Sequence, residues 1–226
     1  MKTTLLKNTL AAIILAISQQ CYSQGFVNLD FEAANTSGYS PGAIIPTTVA
    51  IPGWSAYFGS STTPSSGMFY DTVSLGGAMV VLEDNNNPSP KPIQGNYSIL
   101  LQGSTASTPT SVAIGQTKTI PIGTQSLTFF GVFGGDFRVT FNGQSLAYIV
   151  TGSTANYNIL AADVSAYAGQ AGQLLFTAPV NSYALLDNIQ FSTNAVPEPS
   201  TFALVGLGGL AFGLFKKRQI RLFLRK

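Results

Sequence analysis

The chain has 226 residues, of which 9% are charged, 45% are hydrophobic and 23 are glycine, against roughly 25% charge in an ordinary soluble domain. It holds no histidine and one cysteine, which removes Ser-His-Asp triads, His-ligated metals and His general bases, and with them most hydrolase mechanisms. The net charge of +2 averages unlike parts: two basic residues open the chain, six close it, and three face nine acids between them, a net −6, so there is no cationic face for nucleic acid.

Lys2 and Lys7 precede an uncharged apolar run at 10–17, and Cys21 and Ser23 place small residues at −3 and −1 of a cut before Gln24. This is the pattern of a secretory signal peptide over residues 1–23. The alternative is a retained anchor helix, for which the run is short. Gln20 beside Cys21 speaks against a lipoprotein. The cut leaves no cysteine, so the exported body must be held by a packed core and not by disulfides.

Residues 24–194 show no sustained 3.6-residue period. Short apolar alternations bounded by Gly, Pro, Asn and Ser predict strands at 27–32, 78–82, 97–101, 116–120, 127–133, 137–141, 144–150, 157–160, 174–178 and 185–191. Asn142-Gly143 is a preferred two-residue hairpin turn, with Phe137, Val139 and Phe141 on one face of the strand before it. Many short strands with turn signals between them predict an all-β, antiparallel sandwich or barrel. The polar, proline-bearing stretches 60–67, 85–92 and 104–111 are expected as exposed loops.

The segment 195–226 opens on Pro197-Glu198-Pro199, continues through an uncharged, glycine-rich apolar stretch at 201–215, and stops at Lys216-Lys217-Arg218. Two prolines bar a helix from extending backward. The stretch reaches about 22 Å against about 30 Å of hydrocarbon, a gap that snorkelling and bilayer thinning can close. The absence of a polar face and the basic stop favour a short membrane helix over a core helix, with the cations cytoplasmic.

These three parts, in this order, resemble the PEP-CTERM sorting signal of exosortase systems. The resemblance implies transient insertion in the inner membrane, cleavage by an exosortase-type processing enzyme near Pro197 to Pro199, and delivery to the surface or extracellular matrix of a Gram-negative bacterium, in the setting of a biofilm. In the body, Asn28-Leu29-Asp30-Phe31-Glu32 followed by Ile51-Pro52-Gly53-Trp54, and Ala162 to Gln170 followed by Leu185-Leu186-Asp187-Asn188-Ile189, resemble galactose-binding-like jelly rolls found in carbohydrate-binding modules. That resemblance implies a jelly-roll sandwich and a structural calcium held by Glu32 and Asp187, oxygen ligands suited to a hard cation.

Candidate ligand residues are Trp54 and Tyr57, within an aromatic stretch that includes Phe58, Phe69 and Tyr70; Tyr39, Tyr148, Tyr157, Tyr167 and Tyr183 are further platforms. A lone Trp in a sandwich also suits the core. Glu83-Asp84-Asn85-Asn86-Asn87 lacks the spacing of a calcium loop and is expected as a solvated turn. No catalytic residues are assigned. The expected function is a non-enzymatic structural or adhesive module contacting polysaccharide. The alternatives are a glycan hydrolase using paired carboxylates from among Glu32, Glu83 and Asp84, and a module pairing with other envelope proteins.

Overall fold

A computed structural model of the chain describes residues 25–86, 90–105 and 107–196. The expected signal peptide, Pro197, Glu198 and Pro199, the 201–215 helix and Lys216, Lys217 and Arg218 lie outside the described residues. Among the described residues no helix is long and apolar enough to cross a membrane.

The body is a β-sandwich. Its strands are β1 (Ile44–Pro46), β2 (Ser55–Phe58), β3 (Gly67–Tyr70), β4 (Met79–Glu83), β5 (Ser98–Gln102), β6 (Val112–Thr119), β7 (Ser126–Gly134), β8 (Arg138–Phe141), β9 (Gln144–Ser145), β10 (Tyr148–Ser153), β11 (Asn158–Asp163), β12 (Ala171–Ala178) and β13 (Tyr183–Ser192). One four-residue helix, α1 (Thr47–Ala50), and a 3-10 turn at Ser165–Tyr167 complete the elements. Eight strands form one sheet in the order β1-β3-β4-β5-β13-β7-β11-β10, and five form the other, β2-β6-β12-β8-β9. The chain passes repeatedly from one sheet to the other, as in a jelly roll. Every pairing is antiparallel except β3 with β4, which run parallel over two residue pairs.

Period-two alternation builds the core. Val80, Leu82, Ile99, Leu101, Ala184 and Leu186 turn inward from β4, β5 and β13 onto the main core. Inside it, Phe129 meets the rings of Phe137, Tyr148 and Phe176 at 5.5–6.2 Å, tilted and edge-on contacts that aromatic quadrupoles favour. Phe137, Val139 and Phe141 share the buried face, and Asn142 and Gly143 both take positive φ in the turn that follows, as a primed hairpin turn requires.

Three sequence expectations are corrected. Residues 27–32 form turns and not a strand, because Asn28 and Phe31 adopt positive φ and the fully buried Phe31 ring produces the apolar alternation from inside a turn. The expected strand at 144–150 divides into β9 and β10, which join different sheets. The sequence reading also omitted β1, β2 and β3, each of four residues or fewer, too short for two clear periods of alternation.

Candidate functional site

The outer face of the eight-stranded sheet is not uniformly polar. Met79, Val81, Leu100 and Leu185 form a second apolar cluster there, with Phe69, Ile93 and Val132 packed against it. Beside this cluster lies an open groove of about 690 Å³, within the roughly 300–1,000 Å³ usual for small-ligand sites. Leu100, Val132 and Leu185 line it apolarly, while Lys91, Gln102, Asn156 and Tyr183 add polar groups. Tyr183 is 46% exposed and pairs across the sheet with Gln102 and Gly134. A Cβ on Gly134 would collide with its ring, so glycine there lets the tyrosine lie over β7.

One wall of the groove is Pro90 to Ile93, part of the segment 84–97 that joins β4 to β5. Its described residues Ile93 and Gln94 lie against the outer face, Ile93 packing on the second apolar cluster and Gln94 N–H bonding Asp187, at the ends of β4, β5 and β13, where Glu83, Ser98 and Asp187 alternate with the inward Leu82, Ile99 and Leu186. The solvated turn expected at Glu83 and Asp84 is therefore corrected: Glu83 is fully buried and Asp84 nearly so. Neither oxygen of Glu83 has a hydrogen-bond partner among the described residues. Burial, and after it the nearby carboxylates of Asp71 and Asp84, push its pKa up to about 8, so the group is mostly neutral at pH 7. Asp84 instead accepts the phenol of Tyr70 and the backbone N–H of Asn86 at 2.7 Å.

Glu32 and Asp187, placed together by the jelly-roll resemblance, do border one cavity, with Asp30, Gln94, Gly95 and Asn188. The cavity measures about 170 Å³. Glu32 accepts the N–H groups of Asn96 and Tyr97 on Oε1, at 2.7 and 3.0 Å, and the Asn96 amide on Oε2 at 2.9 Å. Asp187 accepts Gln94 N–H at 3.0 Å, the Ser98 hydroxyl at 2.7 Å and Asn188 N–H at 2.6 Å. Burial lifts the Asp187 carboxyl to about 6; these donors oppose the rise and Glu32 adds to it. A bulge in β13 just after Asp187, with Asn188 at positive φ, docks Ile189 N–H on Leu29 O at 2.9 Å. The 25–33 turns are thereby fixed beside the cavity. Among the described residues no group of three or more His, Cys, Asp or Glu is arranged to hold a metal ion.

The two candidate ligand aromatics separate. Trp54 is 4% exposed, its ring lies between Phe31 and Phe176, and its indole N–H donates to Asn28 O at 2.9 Å and Val27 O at 3.2 Å. It is a core residue that pins the 25–33 turns, so its expected ligand role is corrected. Tyr57 lines a second open groove of about 390 Å³ with Ser60, Thr62 and Thr177, on the five-stranded sheet, and its hydroxyl accepts the Gln173 amide at 3.2 Å. The larger groove was not assembled from the sequence, since Lys91, Gln102, Asn156 and Tyr183 meet only through the strand order.

No curated protein is similar to the chain in sequence. Among solved structures, the chain is similar to the apo form of a cyclase from Fischerella sp. (13% identity, 75% of this chain and 94% of that one, TM-score 0.45). It is also similar to a Stig cyclase, Fisc, from Fischerella sp. TAU in complex with (3Z)-3-(1-methyl-2-pyrrolidinylidene)-3H-indole (13%, 75% and 96%, 0.45). A third is TmCBM61 in complex with beta-1,4-galactotriose (14%, 75% and 99%, 0.38). Residues 195–218 match the family model of the PEP-CTERM protein-sorting motif. The chain is thus a β-sandwich body carrying a PEP-CTERM protein-sorting motif, the mark of an exported protein.

Proposed function

We propose that the body is a non-enzymatic module that contacts polysaccharide at the cell surface or in the extracellular matrix, after an exosortase-type enzyme has processed its sorting motif. The observation that carries this reading is the groove beside Tyr183. A pyranose ring has apolar C–H faces and a rim of hydroxyls, and the groove offers the complement: Leu100, Val132 and Leu185 below, with Gln102, Asn156 and the tyrosine at the side.

The disposition of the acids supports a binding role. Among the described residues no acid lines the groove. Glu83 and Asp84 are buried, and Glu32 and Asp187 together accept six N–H or O–H donors. Glycoside hydrolysis needs one carboxylate and one carboxylic acid free on either side of the sugar. Co-sedimentation of the full chain with insoluble polysaccharides, with reducing ends assayed in the supernatant, tests the proposal. Retention without new reducing ends is expected; release of reducing ends would establish the hydrolase.

Glu32 and Asp187 act, on this reading, as a clamp for residues 94–98 and not as calcium ligands. Calcium takes six to eight oxygens, and a cation here would have to displace N–H groups already directed at both carboxylates. The same melting temperature in calcium and in chelator supports the clamp; a clear rise with calcium would restore the metal.

A further inference from the structure

The described residues hold eight acids and three cations. Of the cations, Arg138 is paired with Asp136 at 2.7 Å, Lys118 belongs to β6 in the other sheet, and Lys91 lines the groove, where no acid is found among the described residues. Lys91 is exposed and stands between Pro90 and Pro92. The pyrrolidine rings fix φ on either side, and the following proline confines Lys91 itself to extended conformations. The backbone that carries the ammonium is thus stiff, so less backbone entropy is lost when the flexible side chain meets an anion. At physiological salt the Debye length is about 8 Å, so acids elsewhere on the body are largely screened while a partner inside the groove is not.

We infer that the groove takes a carboxylate-bearing polysaccharide, a polyuronate, with Lys91 as the counter-cation of one sugar carboxylate. This rests on the reading of the groove as a glycan site and adds the class of glycan. The apolar floor takes the ring faces, the amides and the Tyr183 hydroxyl take sugar hydroxyls, and the lysine selects the acidic unit.

The test is affinity electrophoresis of the full chain in mild detergent, in gels containing polygalacturonate or the same polymer with its carboxyls reduced to alcohols. Polygalacturonate should retard the protein more strongly, and added salt should shrink the difference. Lys91→Gln should weaken polygalacturonate binding by about fivefold, the scale of one exposed ion pair, and leave the reduced polymer unaffected. Lys118→Gln should change neither. Equal binding of both polymers, or equal losses in Lys91→Gln and Lys118→Gln, would overturn the acidic selectivity and leave the glycan reading intact. Absence of retardation by either polymer would overturn both.

Discussion

The Ser98 hydroxyl donates to the Asp187 carboxylate at 2.7 Å, and the same oxygen accepts the Ile93 N–H at 2.8 Å. One side chain thus ties the sheet to the segment that walls the groove. Ser98→Ala leaves the half-buried Ile93 N–H without its acceptor and removes one donor from the buried Asp187, a loss of about 1–3 kcal/mol. Denaturant titration should show that loss, and hydrogen exchange should accelerate at Ile93 and Gln94. Unchanged stability and unchanged exchange would mean that the segment is held by other contacts.

Glu83 makes stability depend on pH. Its folded pKa, about 8, lies above its ordinary value, so in the window between the two the folded state binds more protons than the unfolded one. Stability therefore falls as pH rises through that window, by about 1.4 kcal/mol per unit for this group alone. Asp187, raised to about 6, adds a loss of the same sign below pH 6. Glu83→Gln keeps the shape and lets its amide donate toward the neighbouring carboxylates. Denaturation at pH 5, 7 and 8.5 should show a shallower decline in the variant and a more stable protein at pH 8.5. Parallel profiles would contradict the assignment.

Trp54→Ala opens the core between Phe31 and Phe176 and leaves two backbone oxygens without their indole donor, so it should cost about 3–5 kcal/mol. Trp54→Phe keeps most of the volume, and its polysaccharide binding per folded molecule should equal that of the wild type. Selective loss of binding in a fully folded Trp54→Phe protein would return the residue to the ligand site.

Replacing Pro197, Glu198 and Pro199 by alanine removes the sorting motif, which lies within the matched residues 195–218. The expected outcome is a protein retained in the membrane fraction with residues 201–226 still attached, read by intact mass. Release of the variant with the mass of the processed wild type would show that the motif is dispensable.

The hairpin at Asn142-Gly143 and β12 were legible in the sequence because each carries an uninterrupted alternation, while β11 and β13 showed as short apolar runs, the second broken by the bulge after Asp187. The early strands were not, since β1 to β3 are short and take their places through pairing with one another and with β4 and β6. Glu83 misled for a related reason. A carboxylate beside asparagines reads as solvent-facing, yet Glu83 ends β4 fully buried, near the carboxylates of Asp71 and Asp84, a setting made by the tertiary fold. Glu32 and Asp187 border one cavity, yet five of their six hydrogen-bond donors come from residues 94–98, whose position no local pattern discloses, and the sixth is Asn188 N–H. Tyr57 was found as an aromatic beside a turn; Tyr183 was found only as one tyrosine among several, because its setting depends on Gly134 across the sheet.

The most direct test of a polysaccharide-contacting body is a glycan array probed with the full chain, Tyr183→Ala and Tyr57→Ala side by side. The account predicts binding to at least one polysaccharide, weakened about tenfold by Tyr183→Ala and retained in Tyr57→Ala. Uniform silence of a folded wild-type protein, or undiminished binding by Tyr183→Ala, would contradict it.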